Sequence, residues 1–237
     1  VVDEQGRVCV SLLGFSTRTL SHEVSKLESS VLMAPLVGEL TLLPIWDAFK
    51  PEVVDVPPPS LILASDTACR EALLAAYPQA RLIESIDELA AELSAPGNRP
   101  EHVLWAAPGG PQSVFDQQTS AAQEQGSIGL FRLIKALLAL GQDARALQLT
   151  VLTRQAQGID AQDPVHPAHA SVHGLVGSLA KEYPRWQVCL LDLPQAVEDW
   201  PAPFHLLGFD PQGDARVYRR GQWHRAQHLP FELPQLN

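Results

Sequence analysis

The sequence predicts an α/β protein with a mostly parallel sheet, helices on both faces and a C-terminal β-hairpin. Three observations carry that prediction. From Ser60 to Leu191, short β-rich runs alternate with runs of helical length, the spacing of parallel strands joined by crossover helices. The runs Leu61-Ile62-Leu63 and Val188-Cys189-Leu190-Leu191 are apolar without alternation, as strands buried on both faces require. Two β-like segments near the end, Asp214 to Arg219 and Gln222 to His228, flank the turn pair Arg220-Gly221. A chain of 237 residues is long enough for one sizeable domain, or a domain plus fragments.

Residues 1–20 read as a hairpin remnant, with Asp3-Glu4-Gln5-Gly6 as the turn and Val8, Val10 and Leu12 on one face. Residues 21–39 have no clean period and read as a linker. Leu40 to Trp46 reads as a strand, and Pro44 places it at a sheet edge because proline cannot donate to a ladder. After the spacer Val56-Pro57-Pro58-Pro59, Ser60 to Ala64 is a strand, and Asp66 caps a helix that reaches Tyr77 before Pro78. Arg81 to Glu84 is a short strand. Ser85 to Leu93 is an acidic helix opened by the capping box Ser85-Ile86-Asp87-Glu88. His102 to Ala106 is a strand, followed by a helix over Ser127 to Leu140 that Gly141 stops at the C′ position. On that helix Leu130, Phe131, Ile134, Leu137 and Leu138 form the expected core stripe, widened by Leu133 and Leu140. Strand Leu147 to Thr153, helix Ala168 to Tyr183 and strand Gln187 to Leu191 complete the alternation.

Composition narrows the function classes. Seventeen Lys and Arg against 27 Asp and Glu give a formal charge of −10, which disfavours nucleic-acid and anionic-membrane partners. Apolar residues at 46% and charged residues at 19% suit a core-forming chain. No stretch approaches the ~20 apolar residues of a membrane helix, and the richest, Leu130 to Leu140, carries Arg132 and Lys135. The N-terminus has no basic-then-apolar leader pattern. Cys9, Cys69 and Cys189 are scattered, so buried thiols in a reducing, cytoplasmic setting are expected. With Val1 at the start and Met33 as the single methionine, the chain is expected to be a segment of a longer polypeptide.

A parallel sheet of this kind invites a test for a dinucleotide. Pyrophosphate needs a glycine-lined approach to a helix N-terminus. Here the first strand–helix turn is Ala64-Ser65-Asp66-Thr67-Ala68-Cys69-Arg70, and no glycine occurs between Gly38 and Gly97. Asp66 adds negative charge where phosphate would sit. The expectation is a capped helix with no cofactor. His166, His169 and His173 have metal-ligand spacing along a helix, but no acidic or Cys ligand accompanies them and Pro167 disturbs the first turn, so a histidine face without metal is expected. Gly14-Phe15-Ser16 lacks the second glycine of a nucleophile elbow. Asp160, Asp163 and Asp192 read as turn and cap residues.

Several segments nonetheless resemble the short-chain dehydrogenase/reductase family. His102-Val103-Leu104-Trp105-Ala106-Ala107-Pro108-Gly109 is similar to the family strand ending in Asn-Asn-Ala-Gly, with both asparagines replaced. Leu149-Thr150-Val151-Leu152-Thr153-Arg154-Gln155 is similar to the strand that leads to the catalytic Ser, whose position falls on Gln155. Gly174 to Glu182 resembles the helix downstream of the Tyr-xxx-Lys pair. Carried back, the Tyr position falls on Val165 and the Lys position on His169. Valine has no proton to give a carbonyl oxygen, and none of Tyr77, Tyr183 and Tyr218 has a lysine four residues later.

From about Leu40 to Asn237 the sequence more specifically resembles the structural subdomain of a modular polyketide synthase ketoreductase. The resemblance is carried by Leu137 to Arg154, by Asp163-Pro164-Val165-His166-Pro167-Ala168-His169-Ala170, and by Val217-Tyr218-Arg219-Arg220-Gly221-Gln222-Trp223-His224-Arg225. Residues 1–20, with Gly14-Phe15-Ser16-Thr17-Arg18, resemble the tail of a preceding dehydratase domain. The resemblance implies a truncated Rossmann-like fold with no catalytic, cofactor-binding or metal-binding residue of its own. It implies that NADPH belongs to an adjacent catalytic subdomain, which acts on β-ketoacyl groups held by acyl carrier protein. Partners would be that subdomain and neighbouring synthase domains, with no nucleic acid or membrane; Trp46 and Trp223 sit on segments expected to face that subdomain, with plain core burial as the alternative for both. The alternative within the family is an inactive ketoreductase that braces another domain, such as a methyltransferase.

Overall fold

A computed structural model of the chain describes residues 41–86, 88, 89, 91, 100–109, 119–201 and 207–231. The chain divides between Glu39 and Leu40, and every described residue belongs to the unit that runs from Leu40 to Asn237. The expected hairpin remnant at 1–20 and linker at 21–39 lie outside the described residues.

The strands are β1 (Leu42–Phe49), β2 (Leu61–Ala64), β3 (Arg81–Ile83), β4 (His102–Ala106), β5 (Leu147–Arg154), β6 (Trp186–Leu193), β7 (Ala215–Arg219) and β8 (Gln222–Pro230). The helices are α1 (Thr67–Ala76), α2 (Thr119–Gln125), α3 (Ser127–Ala139) and α4 (Ala170–Glu182). One eight-stranded sheet has the order β1-β8-β7-β6-β5-β4-β2-β3. Strands β2 through β7 are mutually parallel, whereas β8 returns antiparallel to β7 and β1 lies antiparallel to β8. Pro44 therefore sits on an edge strand, opposite His228, as its missing donor demands. The hairpin turn forms at Arg220 and Gly221, both left-handed at φ 51° and 80°, which matches the twist of the strands it joins.

Side-chain alternation splits the core into two layers. Leu61, Leu63, Val103, Trp105, Leu149, Val151, Val188 and Leu190 face α3 and α4, which contribute Leu130, Leu133, Leu137, Val172, Val176 and Leu179. The intervening strand positions, including Ile62, Leu104, Leu152 and Leu191, face α1 through Cys69 and Leu73. Beyond α1 the proline-rich stretch runs beside this second layer. His102 Nδ1 donates to the Pro57 carbonyl at 2.7 Å, and its Nε2 accepts from the Thr150 hydroxyl at 2.8 Å.

Some expectations need correction. The first strand continues to Phe49 because β8 supplies partners as far as Trp223, well past the apolar run. Helix α2 was not expected, since its sequence TSAAQEQ has too few apolar residues to show a period. Phe131 is half exposed, at 50%, because the buried stripe of α3 is Leu130, Leu133, Ile134 and Leu137, one position to its side. The helix expected from Ala168 opens as a 3₁₀ turn over Pro167–His169 and becomes α-helical at Ala170. Of the two alternatives for Trp223, core burial is the one observed: its ring lies 5.0 Å from that of Tyr218, in this unit's own second core layer.

Candidate functional site

Ligands of open parallel sheets bind where the chain switches sides, outside the carboxyl ends of the strands. In this sheet that point lies between β2, which leads to β3 on one side, and β4, which leads to β5 on the other. The residues there are Ser65 and Asp66 after β2, Ala107, Pro108 and Gly109 after β4, and Arg154 at the end of β5.

Asp66 performs the capping role expected of it, accepting from Cys69 N at 2.9 Å through Oδ1. Its second oxygen, Oδ2, faces Arg154 Nη2 at 3.4 Å, and the Arg154 side chain is only 5% exposed. The pair lies against the backbone of Gly109: a Cβ there would come within 3.1 Å of Arg154 Nη2 and 3.5 Å of Asp66 Oδ2. Arg154 Nε and Nη2 make no hydrogen bond among the described residues. The Cys69 thiol beneath is pushed up to about 12 by burial, with Arg154 opposing that shift. A carboxylate and a guanidinium from the chain itself thus fill the turn against which a pyrophosphate would have to rest. Glycine-free backbone and a fixed negative charge do not fit that group.

Beside the pair is a crevice of about 310 Å³, bounded by Ser65, Glu84, Trp105, Pro108, Gly129 and Arg132. Glu84 pairs with Arg70, and Arg132 with Glu124, at its rim. The capping box expected at Ser85 is present in part, as Ser85 Oγ accepts from Glu88 N at 3.1 Å. The returning Glu88 carboxylate takes the amide of Glu84 at 3.0 Å.

Further along the same edge lies a buried polar network. Asp192 is fully buried and accepts from Arg219 Nη2 at 2.6 Å, Thr153 Oγ1 at 2.7 Å, Ala156 N at 2.9 Å and Gln157 N at 3.0 Å. Arg219 also donates to the carbonyls of Asp192, Tyr218 and Gln157. Because Thr153 gives its proton to Asp192, it accepts from His173 Nε2 at 3.0 Å, which leaves His173 Nδ1 to accept from the Gln157 amide at 3.2 Å. That arrangement uses a neutral imidazole, and burial lowers the His173 pKa accordingly, with Asp192 opposing and Arg219 assisting. Asp192 is therefore no turn or cap residue but the centre that ties β5 and its following loop to β6 and β7. Asp160 and Asp163 do occupy a turn, where both pair with Arg220.

The histidines do not converge. His173 belongs to the Asp192 network, whereas His169 Nδ1 accepts from the Arg154 amide at 3.4 Å. Burial pushes the His169 pKa down to about 4. The His166 and His169 rings are 6.3 Å apart, and among the described residues no group of three His, Cys, Asp or Glu is placed to hold a metal ion. Gln155, which the short-chain dehydrogenase resemblance aligns with a serine, is left-handed at φ 49°, and its carbonyl accepts from His166 N. Val165, at the tyrosine position, is 40% exposed. Residue-by-residue reading gave no role to Arg154 or Arg219. The available signal for Arg154 was a lone charge ending the apolar strand run LQLTVLTR, and for Arg219 the lone aspartate inside WQVCLLDL, which demands a buried counter-charge from elsewhere.

A family model described as polyketide synthase extender module SpnB, Rossmann fold domain, matches residues 50–223. The chain belongs to that family. This Rossmann-fold domain is 35% identical over 239 residues to polyketide synthase PksM of Bacillus subtilis, covering 97% of the chain and 6% of the relative. It is 34% identical to PksN of the same organism, covering 96% of the chain and 4% of the relative. The domain thus spans a small fraction of the length of these curated relatives. Among solved structures it is similar to A-type ketoreductases from a modular polyketide synthase, with a TM-score of 0.61 at 20% identity, over 84% of the domain and 44% of that chain. It is also similar to an adenylation, ketoreductase and pseudo-Asub multidomain structure of a keto acid-selecting NRPS module, with a TM-score of 0.65 at 15% identity, over 81% of the domain and 18% of that chain. At these identities the likeness establishes the fold, which is the Rossmann-like, mostly parallel sheet with a C-terminal hairpin that the sequence predicts.

Proposed function

We propose that this domain is the non-catalytic, structural half of a polyketide synthase ketoreductase. In that role it carries no catalytic, cofactor-binding or metal-binding residue of its own. It stabilises an adjoining catalytic half that uses NADPH to reduce β-ketoacyl groups carried by acyl carrier protein. The observation that carries this reading is the Asp66–Arg154 pair filling the turn after β2. A dinucleotide would have to bring its phosphates against the Asp66 carboxylate, which is held in place by Cys69 N and Arg154, or displace it from both. The neutral histidines add to it: His169 is held by burial well below neutrality and is no substitute for a ribose-binding lysine. The coverage of the ketoreductase structures, 84% of this domain against 44% of the longer chain, suits one half of a two-part unit.

Calorimetric titration of the 237-residue chain with NADPH tests the reading. No saturable heat is expected. A micromolar Kd would overturn it, since binding that tight requires the phosphates to be accommodated.

A further inference from the structure

We infer that the cavity beneath the stretch from Phe49 to Val56 binds an organic anion, a single carboxylate on an apolar body. The cavity measures about 630 Å³ and lies on the α1 side of the sheet, between that stretch, the loop at Leu207 to Phe209 and strands β5 to β8. It shares no residue with the crevice beside Asp66. Its size falls within the ~300–1,000 Å³ of small-molecule sites.

Two arginines make its cationic wall. Arg216 and Arg225 stand directly opposite each other on β7 and β8, so their side chains share one face of the sheet. Like charges at such a pair repel and weaken the ladder unless a counter-charge accompanies them. The chain itself provides little. Arg216 gives its Nη groups to the neutral carbonyls of Leu207, Gly208 and Phe209, and it has no salt bridge among the described residues. Arg225 meets Asp47 only at 3.5 Å, with the two side chains 54% and 41% exposed, a pair worth little in water. Lys50 adds a third cation to the lining, also without an ion pair among the described residues. Glu52 and Asp55 belong to the covering stretch and are exposed, so solvent screens them from the sheet wall.

A carboxylate lodged beside Arg225 and Lys50 supplies the missing charge, and the planar fork of a guanidinium matches its two oxygens. Apolar surface continues from that point. The Arg225 guanidinium lies 5.3 Å from the centroid of the Phe49 ring, and Val54, Leu207 and Phe209 extend the wall. At the far end the Gln148 and Gln187 amides bond each other at 3.2 Å and carry no charge. Selectivity therefore favours one negative charge with a tail over either part alone. None of this depends on whether a catalytic half adjoins the domain.

Amide-resolved NMR of the 237-residue chain, titrated with octanoate, 1-octanol and propionate, tests it. Octanoate is expected to saturate with a Kd of ~1 mM, shifting the amides of Lys50, Gly208, Phe209 and Arg225. The alcohol lacks the charge and propionate the body, and each is expected to bind about tenfold more weakly. Arg225→Gln is expected to weaken octanoate about tenfold as well. Asp47→Asn removes the rival counter-charge while keeping an oxygen to accept from Gln227, and is expected to tighten binding. Both sites are on the surface, and amide spectra matching the parent away from β1 and β8 check that the fold is intact. Opposite signs in the two variants are not produced by loss of a merely structural surface pair. Absence of saturable shifts at these amides overturns the inference, as does octanol binding as tightly as octanoate, indifference to Arg225→Gln, or both variants moving the affinity in one direction.

Discussion

Replacing Asp192 by asparagine probes the network that holds the carboxyl edge of the sheet together. The carboxylate is fully buried and receives four donors, from Arg219, Thr153, Ala156 and Gln157. Asparagine has nearly the same shape but only one acceptor oxygen. If its Nδ2 takes the Oδ2 position it faces Arg219 Nη2 and the Gln157 amide, donor against donor. If it takes the Oδ1 position it faces the Ala156 amide. Either orientation also leaves the Arg219 guanidinium, 6% exposed, without its counter-charge. Breaking a buried pair in this way costs about 3–5 kcal/mol. With a urea m-value of about 1–3 kcal/mol/M, the unfolding midpoint followed by circular dichroism falls by at least ~1 M. Arg219→Met alone costs a similar amount, and the double variant costs less than the sum by ~2 kcal/mol or more, because the orphaned charge is then gone. An unfolding free energy for Asp192→Asn within ~1 kcal/mol of the parent, or strict additivity in the double variant, refutes the coupling.

Acid weakens the fold through His169. Its folded pKa is about 4 against an ordinary 6.5, so between those values the unfolded chain binds the extra proton. Stability is present in full above pH 6.5, falls progressively toward pH 4 and levels off below, an effect of about 3 kcal/mol for this group; His173 acts in the same direction, and His169→Gln should flatten the slope of urea midpoint against pH. Gly213→Ala should destabilise by ~2 kcal/mol or more, since φ is +72° and a Cβ would lie 2.9 Å from both Gly177 Cα and the Val176 carbonyl. Gly141→Ala, at the same φ with nothing within 4 Å, should cost only the ~1 kcal/mol of left-handed backbone, and thermal melts of the two separate these causes. The thiols of Cys69 and Cys189 are buried and pushed up to about 12, so alkylation at pH 8 mapped by mass spectrometry should label both only in denaturant.

The sheet was legible because its signals are local. Asp66, Gly141 and Arg220-Gly221 act within one turn of the chain, and unbroken apolar runs announce strands buried on both sides. Helix α2 was illegible because its short polar sequence folds only where α3 and the Pro167–His169 turn receive it. Phe131 misled because a stripe of five apolar residues does not say which edge meets the core. The site divided in the same way. The missing glycines and the valine at position 165 could be read directly, whereas Asp192 and Arg219 are 27 positions apart and meet only when β6 and β7 pair. Reading Asp192 as a turn residue followed from its side-chain chemistry alone, when its position inside an apolar strand already required a buried partner.

Two ion pairs therefore share one edge of the sheet but do different things. Asp192–Arg219 is densely bonded: both carboxylate oxygens and three carbonyls are engaged, so it fixes the loop after β5 with little room for exchange. Asp66–Arg154 is sparse, longer at 3.4 Å and short of hydrogen bonds, although Arg154 is just as buried. A sheet built for a nucleotide leaves its carboxyl edge poor in internal charge, so that ligand phosphates complete it. Here each buried guanidinium has a carboxylate from the same chain. Among the described residues the electrostatic demand of the edge is met internally, as the proposed non-catalytic role requires. Substituting Asp66 by glycine should thus destabilise the domain through the lost cap and the stranded Arg154 together, by ~2 kcal/mol or more in urea unfolding. A neutral outcome would mean that Arg154 is compensated by something other than Asp66.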